Sequence, residues 1–295
     1  MTVATISQLA YQLMTNVAFL ILSAIGLIII FGMMGVINMA HGEFMMVGAY
    51  VTAWLYHQGV PFALCVLAAG VAVALVGVVV ERLLIRRLYG QLLMSLVVTF
   101  GLSLVMSQGF LVLFGPSEPG VPTPLGSVEA RGFGYSYYQG VLFLTAVGLV
   151  VLLWWAINRT TIGIRARATI ENAEMASALG VNKARTYALT FAFGSGLAGI
   201  AGGLFSAVAQ VTPTFGAPYT PIAFVTVVVG GGANLVVGLV GSVLALAGVQ
   251  TVVANQTSVL LGFVALMLTA LVLIRVMPRG LSATYQDVRR RRLSR

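Results

Sequence analysis

The chain is a series of long apolar segments, and polar residues interrupt one of them. Residues 17–31 are almost wholly apolar, and the apolar character resumes over residues 44–55. Between them lie glycines together with Asn38, His41 and Glu43. Polar side chains at membrane depth normally face a cavity or the interior of a helix bundle, and a broken helix is tolerated there only where protein packs it or water lines it. The pattern predicts a discontinuous membrane helix beside a transport path. The alternative is a kinked helix packed through its glycines.

A second interruption has the same spacing as the first. The pattern Gly-x-x-Asn-x-x-x-Gly begins at Gly35 and again at Gly231. Matching interrupted helices in two halves of a chain point to the transport path of a membrane transporter, although chance similarity is the alternative in a chain with 34 glycines. The residues predicted to line the path are Gly35, Asn38, His41, Gly42, Glu43, Gly231 and Asn234.

Composition places the protein in the membrane. It is 59% hydrophobic and 8% charged, whereas a soluble domain carries about a quarter charged residues. Apolar runs reach the ~20 residues that span a bilayer, and none shows the alternation of a membrane β-barrel. We predict an all-α, polytopic helical bundle with discontinuous helices, formed by residues 1–295 as one transmembrane domain. Eight spans are predicted, possibly nine, because the run at residues 222–254 could cross once, cross twice, or dip into the membrane and return. The predicted spans are residues 9–31, 44–56, 62–80, 92–114, 139–157, 187–211, 222–254 and 258–276.

The basic residues indicate which loops are cytoplasmic. The formal net charge is +9, and its placement suits cytoplasmic loops rather than nucleic acid. Arg82, Arg86 and Arg87 place the end of the third span in the cytoplasm, together with a loop at residues 158–185 and a basic tail at residues 277–295. The proline-rich stretch at residues 115–138 is then external.

Several chemistries are excluded. A single cysteine, Cys65, leaves no internal disulfide or cysteine-based metal cluster, and two histidines make a zinc site improbable. There is no G-x-x-x-x-G-K-[ST] motif, so the chain has no phosphate-binding loop for ATP. The G-x-G-x-x-G run at residues 194–199 lies inside an apolar span, so we interpret it as small residues for close helix packing. We expect no enzyme activity, metal or cofactor in this chain.

The loop at residues 158–185 contains a segment that predicts a partner contact. Residues 164–179 have helical spacing and predict one short amphipathic helix, which Gly180 ends. Small residues on it predict docking into a groove of a partner protein, and the alternative is a helix lying on lipid headgroups. The apolar face is formed by Ile164, Ala168, Met175 and Leu179, the polar face by Arg167, Glu171 and Glu174, with Arg167 and Glu171 as an ion pair, and the small residues are Ala173, Ala176 and Ser177.

These motifs resemble a known family. Residues 35–43, followed by Gly48-Ala49-Tyr50, closely resemble the signature of permease subunits of ABC importers for branched-chain and other hydrophobic amino acids, which the urea and short-chain-amide branch shares. The resemblance spans essentially the whole chain. Further matching segments are residues 158–160, 163–168, 178–182, 227–232 and 278–281.

The resemblance implies partners and a location. It implies one of two homologous permease subunits that form a heterodimer in the bacterial inner membrane, with an extracytoplasmic binding protein and two cytoplasmic ATPase subunits that hold ATP and magnesium. Residues 164–180 would be the coupling helix that contacts an ATPase. The residues expected to serve this contact are Arg165, Arg167, Glu171, Asn172, Glu174, Ala176, Leu179 and Gly180.

The substrate and the energy source stay open at this point. Residues 88–91 resemble a Leu-Tyr-Gly-Arg run common in the urea branch, with Gln91 in place of the arginine, and residues 98–104 also favour urea or short amides. Branched-chain amino acids remain as the other substrate class. A proton-coupled secondary transporter or channel, with His41 and Glu43 relaying protons, is the alternative function.

Overall fold

The computed structural model describes residues 3–130 and 133–286, and these are almost entirely helical. The predicted all-α class is confirmed, with one small hairpin added. The elements are α1 (Val3–Met34), α2 (His41–His57), α3 (Phe62–Leu83), a 3₁₀ helix (Ile85–Leu88), α4 (Leu92–Phe114), β1 (Ser127–Ala130), β2 (Phe133–Ser136), α5 (Tyr137–Arg159), α6 (Thr161–Glu171), α7 (Ala173–Ala178), α8 (Lys183–Phe205), α9 (Tyr219–Gly230), α10 (Leu235–Gln256) and α11 (Val259–Val276).

Seven of the described helices are long and apolar enough to cross a membrane: α1, α3, α4, α5, α8, α10 and α11. Helices α2 and α9 are shorter, with 17 and 12 residues. At 1.5 Å per residue α9 is only about 18 Å long, less than the ~30 Å of hydrocarbon. The eight predicted spans therefore correspond to the seven long helices and α2. The predicted run at residues 222–254 consists of a short helix followed by a long one.

The predicted external stretch contains a β-hairpin that the sequence analysis missed. Strands β1 and β2 pair antiparallel, with Ser127 opposite Ser136. The backbone N of Ser136 donates to the Tyr11 hydroxyl over 2.9 Å, and this hydroxyl lies 3.2 Å from the Ser136 carbonyl oxygen. The hairpin is thereby attached to the first helix of the chain.

The described residues divide into two compact units, each considered by itself. One unit comprises residues 3–24, 123–130, 133–151 and 222–286, and the other comprises residues 25–122 and 152–221. In the first unit α10 packs against α11, and the Asn16 amide donates to the Thr251 hydroxyl over 2.9 Å. Residues 287–295 of the predicted basic tail lie outside the described residues.

The second unit is built on α8, which packs against α2 and α3. Glycines bring these helices unusually close: a Cβ added to Gly48 of α2 would lie 2.7 Å from the Gly199 Cα of α8. A Cβ on Gly199 would also lie 2.7 Å from the Val73 Cβ of α3. The run at residues 194–199 is therefore a helix-packing surface, as predicted, because backbone approach at this distance needs residues without side chains.

Candidate functional site

The first helix break follows α1. The helix ends at a left-handed glycine, Gly35, with φ of +62°, whose N donates to the Phe31 carbonyl over 2.9 Å. Glycine adopts this conformation without the steric penalty that a Cβ brings. Asn38 then turns the chain, because its Oδ1 accepts from the backbone N of Ala40 over 3.1 Å, and α2 starts one residue later. The predicted discontinuous helix is present at this position.

Two side chains of α4 satisfy the backbone of the break. The backbone N of Ile37 donates to Ser95 Oγ over 3.3 Å, and that of Met39 donates to Thr99 Oγ1 over 3.0 Å. Thr99 Oγ1 also lies 3.1 Å from the Ile37 carbonyl oxygen. Unpaired peptide groups are costly away from water, so these two hydroxyls allow the helix to stay open. The sequence analysis did not predict this role for Ser95 or Thr99.

The first turn of α2 is packed at backbone distance. Gly42 donates its N to the Thr220 hydroxyl over 3.0 Å. A Cβ on Gly42 would lie 2.7 Å from the Gly216 carbonyl carbon and closer still to the Gly216 oxygen. Any larger residue at position 42 would therefore push α2 away from the loop that precedes α9.

Polar groups of the break are buried and incompletely bonded. Asn38 is 2% exposed, Glu43 6% and His41 fully buried. Within the described residues, Asn38 Nδ2 and Glu43 Oε2 have no hydrogen-bond partner, while the Ser103 hydroxyl interacts with the Glu43 carboxyl. Buried polar atoms are nearly always paired, and the exceptions call for a water, an ion or a ligand. Three cavities in the described residues, of about 430, 370 and 280 Å³, are lined by other residues, so the path-lining role of the break stays a prediction.

The second break has a similar backbone but a different environment. Gly231 is left-handed, with φ of +74°, and its N donates to the Val227 carbonyl over 2.9 Å. Asn234 is exposed, and its Oδ1 caps α10 by accepting from the backbone N of Val237 over 3.2 Å. A Cβ on Gly231 would lie 3.0 Å from the Gly280 Cα. Asn234 therefore starts a helix, which is a familiar role for this residue type.

The charged loop folds as two helices, so the prediction of one continuous helix is wrong. Asn172 lies between α6 and α7 in an extended conformation, and its Oδ1 accepts from the backbone N of Glu174 over 3.1 Å and of Met175 over 2.9 Å. Asparagine competes in this way for backbone donors and favours helix starts over helix interiors. The predicted end is confirmed: Gly180 has φ of +86°, and the backbone N of Val181 reaches the Ala176 carbonyl over 3.0 Å.

The loop at residues 158–185 has a buried side and an exposed side. Ala166 and Ala176 are 3% exposed, so Ala176 packs within this chain and is unsuited to the partner contact predicted for it. Met175 is 60% exposed and Leu179 is 79% exposed. Exposed residues of the loop also include Arg165, Arg167, Glu171, Asn172, Glu174, Ser177 and Gly180.

The predicted ion pair within the loop does not form. Arg167 Nη1 donates instead to Asn158 Oδ1 over 3.2 Å, and the ion pair recorded among the described residues is Arg86 with Glu81. Glu171 and Glu174 thus stay available for a partner.

A buried carboxylate near the loop escaped the sequence analysis. Glu81, at the end of α3, is fully buried. Arg86 Nη2 donates to it over 3.3 Å, and the Tyr89 hydroxyl donates to it as well. Burial, and then the Glu81 carboxylate, raise the pKa of the Tyr89 hydroxyl well above its usual range. The Tyr89 ring meets the Tyr187 ring of α8 edge to face, with ring centroids 4.8 Å apart, so the cluster joins the end of α3 to the start of α8. Its sequence signal was a glutamate at a span end, five residues before an arginine.

Comparison with known proteins agrees with this architecture. The family described as branched-chain amino acid transport system / permease component matches residues 9–277. The permease protein BraD of a high-affinity branched-chain amino acid transport system in Pseudomonas aeruginosa is 30% identical over 242 residues, which cover 76% of this chain and 78% of BraD. LivH of Escherichia coli, a permease protein of the same description, is 29% identical over the same coverage.

A second type of permease protein is also similar. LivM of Escherichia coli is 28% identical over 212 residues, which cover 63% of this chain and 50% of LivM. No solved structure matches the chain. The match to permease components makes the chain a transport subunit and not an enzyme. With residues 9–277 matched and relatives at 30% identity over most of both chains, the chain belongs to the branched-chain amino acid transport system / permease component family.

Proposed function

We propose that this chain is a transmembrane permease subunit of an ATP-driven importer in the bacterial inner membrane. It pairs with a second, homologous permease, for which the similarity to both LivH and LivM gives support. Two ATPase subunits bind ATP, and an extracytoplasmic binding protein delivers the solute. The sequence contains no phosphate-binding loop, which is consistent with ATP hydrolysis on another polypeptide.

The main support for this proposal is the exposed side of the loop at residues 158–185. Helix α7 is anchored through Ala176 yet exposes Met175 and Glu174, and Leu179, the residue directly after α7, is exposed as well. Exposed apolar side chains ringed by charges are typical of a protein contact. Because α7 follows α6 and leads into α8 through Gly180, a force on this surface would reach the membrane helices directly.

The first break supplies the part of the path that we propose for solute contact. Asn38 Nδ2 and Glu43 Oε2 are a buried donor and a buried acceptor, each without a hydrogen-bond partner among the described residues. A passing polar solute would satisfy both in turn. Opening of the path then requires the two states of the importer to differ in free energy, which ATP and the docked binding protein provide. The path-lining role of Gly35, His41 and Gly42 in this break, and of Gly231 and Asn234 in the second break, stays a prediction.

Branched-chain amino acids are the substrate that we favour, because the relatives described above are named for them. Urea or short-chain amides form a second candidate class, which rests on the Leu88-Tyr89-Gly90 run. The structure gives that run a local role, since the Tyr89 hydroxyl bonds to Glu81 inside the chain.

The decisive test is coupling in the reconstituted importer. We expect the chain to co-purify with ATPase subunits encoded beside it, and uptake into vesicles to require ATP. Leu179→Ala and Glu174→Ala should each lower uptake about tenfold, the effect of ~1.4 kcal/mol at a contact. Leu125→Ala is the matched control, because Leu125 is similarly exposed but lies in the predicted external stretch.

Two results would contradict the proposal. One is the absence of any co-purifying ATPase together with unchanged uptake by both loop variants. The other is uptake that survives ATP depletion and collapses with the proton gradient, which would favour a secondary transporter.

A further inference from the structure

An aromatic pocket in the second unit lies away from the helix breaks and has a carboxylate at its edge. It measures about 280 Å³, close to the lower end of the range for small-molecule sites. Tyr50, Phe110 and Phe114 form its aromatic wall, with ring centroids 4.9 to 5.3 Å apart. The remaining lining residues are Val47, Val51, Trp54 and Glu118.

Tyr50 places an unused hydroxyl at this pocket. The residue is only 5% exposed, and its hydroxyl has no hydrogen-bond partner among the described residues. A buried tyrosine hydroxyl normally finds a partner. The polar group of a solute in the pocket would supply it.

Glu118 is held in place beside this hydroxyl. Its backbone N donates to the Val211 carbonyl over 2.9 Å, and the neighbouring Pro119 carbonyl lies 3.2 Å from His57 Nε2. The carboxylate is near enough to Tyr50 to act on it electrostatically. Within the described part of the chain Glu118 makes no ion pair, although the protein as a whole is strongly basic.

The chemistry of these walls selects for positive charge. Aromatic faces attract cations through their quadrupole, and a carboxylate forms a strong charge-assisted hydrogen bond to an ammonium group. Val47 and Val51 offer an apolar surface to an aliphatic chain. A neutral solute such as urea would gain neither of the two charge-based interactions.

We propose that this pocket binds the ammonium end of an aliphatic amine-bearing solute, with Glu118 as counter-ion and the Tyr50 hydroxyl oxygen accepting a hydrogen bond from the ammonium group. The identity of the solute as cargo rests on the proposed importer function, whereas binding to the pocket does not. The pocket lies toward the predicted external end of α2, so it would receive the solute before the break at residues 35–40.

Trp54 is a built-in reporter for this binding. The chain has three tryptophans, and the other two, Trp154 and Trp155, are exposed on α5 and lie outside the pocket. Replacing both by phenylalanine leaves Trp54 as the single emitter at the pocket edge. The full-length single-tryptophan chain, purified in lipid nanodiscs, is titrated with four ligands of one skeleton. These are leucine, 3-methylbutylamine, 4-methylpentanamide and 4-methylpentanoate.

We expect leucine and 3-methylbutylamine to change Trp54 emission saturably, with affinities at least about tenfold higher than those of the neutral amide and the carboxylate. Glu118→Gln should remove this preference for amines, and Phe110→Leu should weaken amine binding by several-fold. Glu129→Gln, in strand β1, is the charge control, and Phe100→Leu is the aromatic control on the same helix as Phe110. Both controls should bind amines as the unmodified chain does.

Equal affinity for the amine and the amide would overturn the inference, and so would amine binding that Glu118→Gln leaves unchanged. The comparison of the four ligands uses the unaltered pocket, so it tests the preference for amines even where a pocket variant fails to fold. Failure here is separable from failure of the importer proposal. If amines do not bind but ATP-dependent uptake is intact, only the assignment of the pocket is wrong. If amines bind but no ATPase co-purifies, the pocket assignment holds and the importer proposal is wrong.

Discussion

The two helix breaks share a sequence pattern and a backbone turn, yet they solve different physical problems. Each begins with a left-handed glycine, Gly35 or Gly231, that ends a helix, and in each the asparagine three residues later accepts from a backbone N. Asn38 is buried and its neighbours depend on hydroxyls of α4. Asn234 is exposed and caps the next helix.

The comparison shows that burial, and not the sequence motif, determines how many hydrogen-bond partners the protein must supply to the peptide groups of a break. An exposed break can leave peptide groups to water, so one capping side chain is enough. A buried break needs protein donors and acceptors for every such group. Ser95 and Thr99 supply partners for the peptide groups of Ile37 and Met39. The side-chain atoms Asn38 Nδ2 and Glu43 Oε2 are left without a hydrogen-bond partner among the described residues.

The largest expected effect is on packing at the two helix starts that follow the breaks. Gly42→Ala forces a Cβ into the Gly216 backbone, whereas Gly238→Ala would place one 2.7 Å from the Gly230 oxygen. We expect the free energy of unfolding to fall by about 3 kcal/mol at Gly42 and by somewhat less at Gly238, measured by denaturant titration in detergent. Gly101→Ala is the control, since a Cβ there meets no atom within 4 Å. A Gly42 variant as stable as the Gly101 variant would contradict the structure.

The next effect concerns transport through the buried break. Asn38→Leu removes the hydrogen bond to the Ala40 backbone N and the unpaired Nδ2, so ATP-dependent uptake should fall about tenfold. The lost buried hydrogen bond should also lower the free energy of unfolding by about 1–2 kcal/mol. Asn16→Leu, which breaks a bond between α1 and α10, is the matched control for lost bonding alone. Assembly is checked by co-purification of the partner subunits. Uptake that is equal for the two variants would remove the case for a special role of Asn38.

The smallest effect belongs to the exposed break. Asn234→Ala removes the N-cap of α10, so the unfolding free energy should fall by about 1 kcal/mol. Asn234→Ser retains a capping oxygen and should recover most of that loss. Hydrogen exchange at the backbone N of Val237 reports the cap directly. An unchanged exchange rate in Asn234→Ala would mean that Asn234 does not hold the start of this helix.

Periodicity and composition were sufficient for the long helices but not for the β-hairpin, the split of the charged loop or the contacts between elements. The apolar runs predicted the long helices, and the glycine–asparagine spacing predicted both breaks. The split of the charged loop was missed because a helical pattern does not reveal that Asn172 will take two backbone donors. The Glu81 cluster was missed because its geometry depends on the intervening 3₁₀ helix.

The aromatic pocket shows a third kind of limit. Tyr50 and Phe110 are 60 residues apart in the chain and meet only because α2 and α4 pack together. Nothing in either local sequence marks them as neighbours. Tyr50 belongs to the Gly48-Ala49-Tyr50 motif, so the sequence analysis could name it. Glu118 lies in a proline-rich stretch without a periodic pattern, so its position beside Tyr50 could not be predicted.

The cluster around Glu81 has a mechanical consequence. Losing Arg86 would leave the buried Glu81 carboxylate without its ion-pair partner, which costs several kcal/mol. The cluster therefore holds the segment after α3 in the position where Tyr89 packs against Tyr187 of α8. Because α8 also packs along α3, we expect a push delivered at Leu179 to tilt the two helices together.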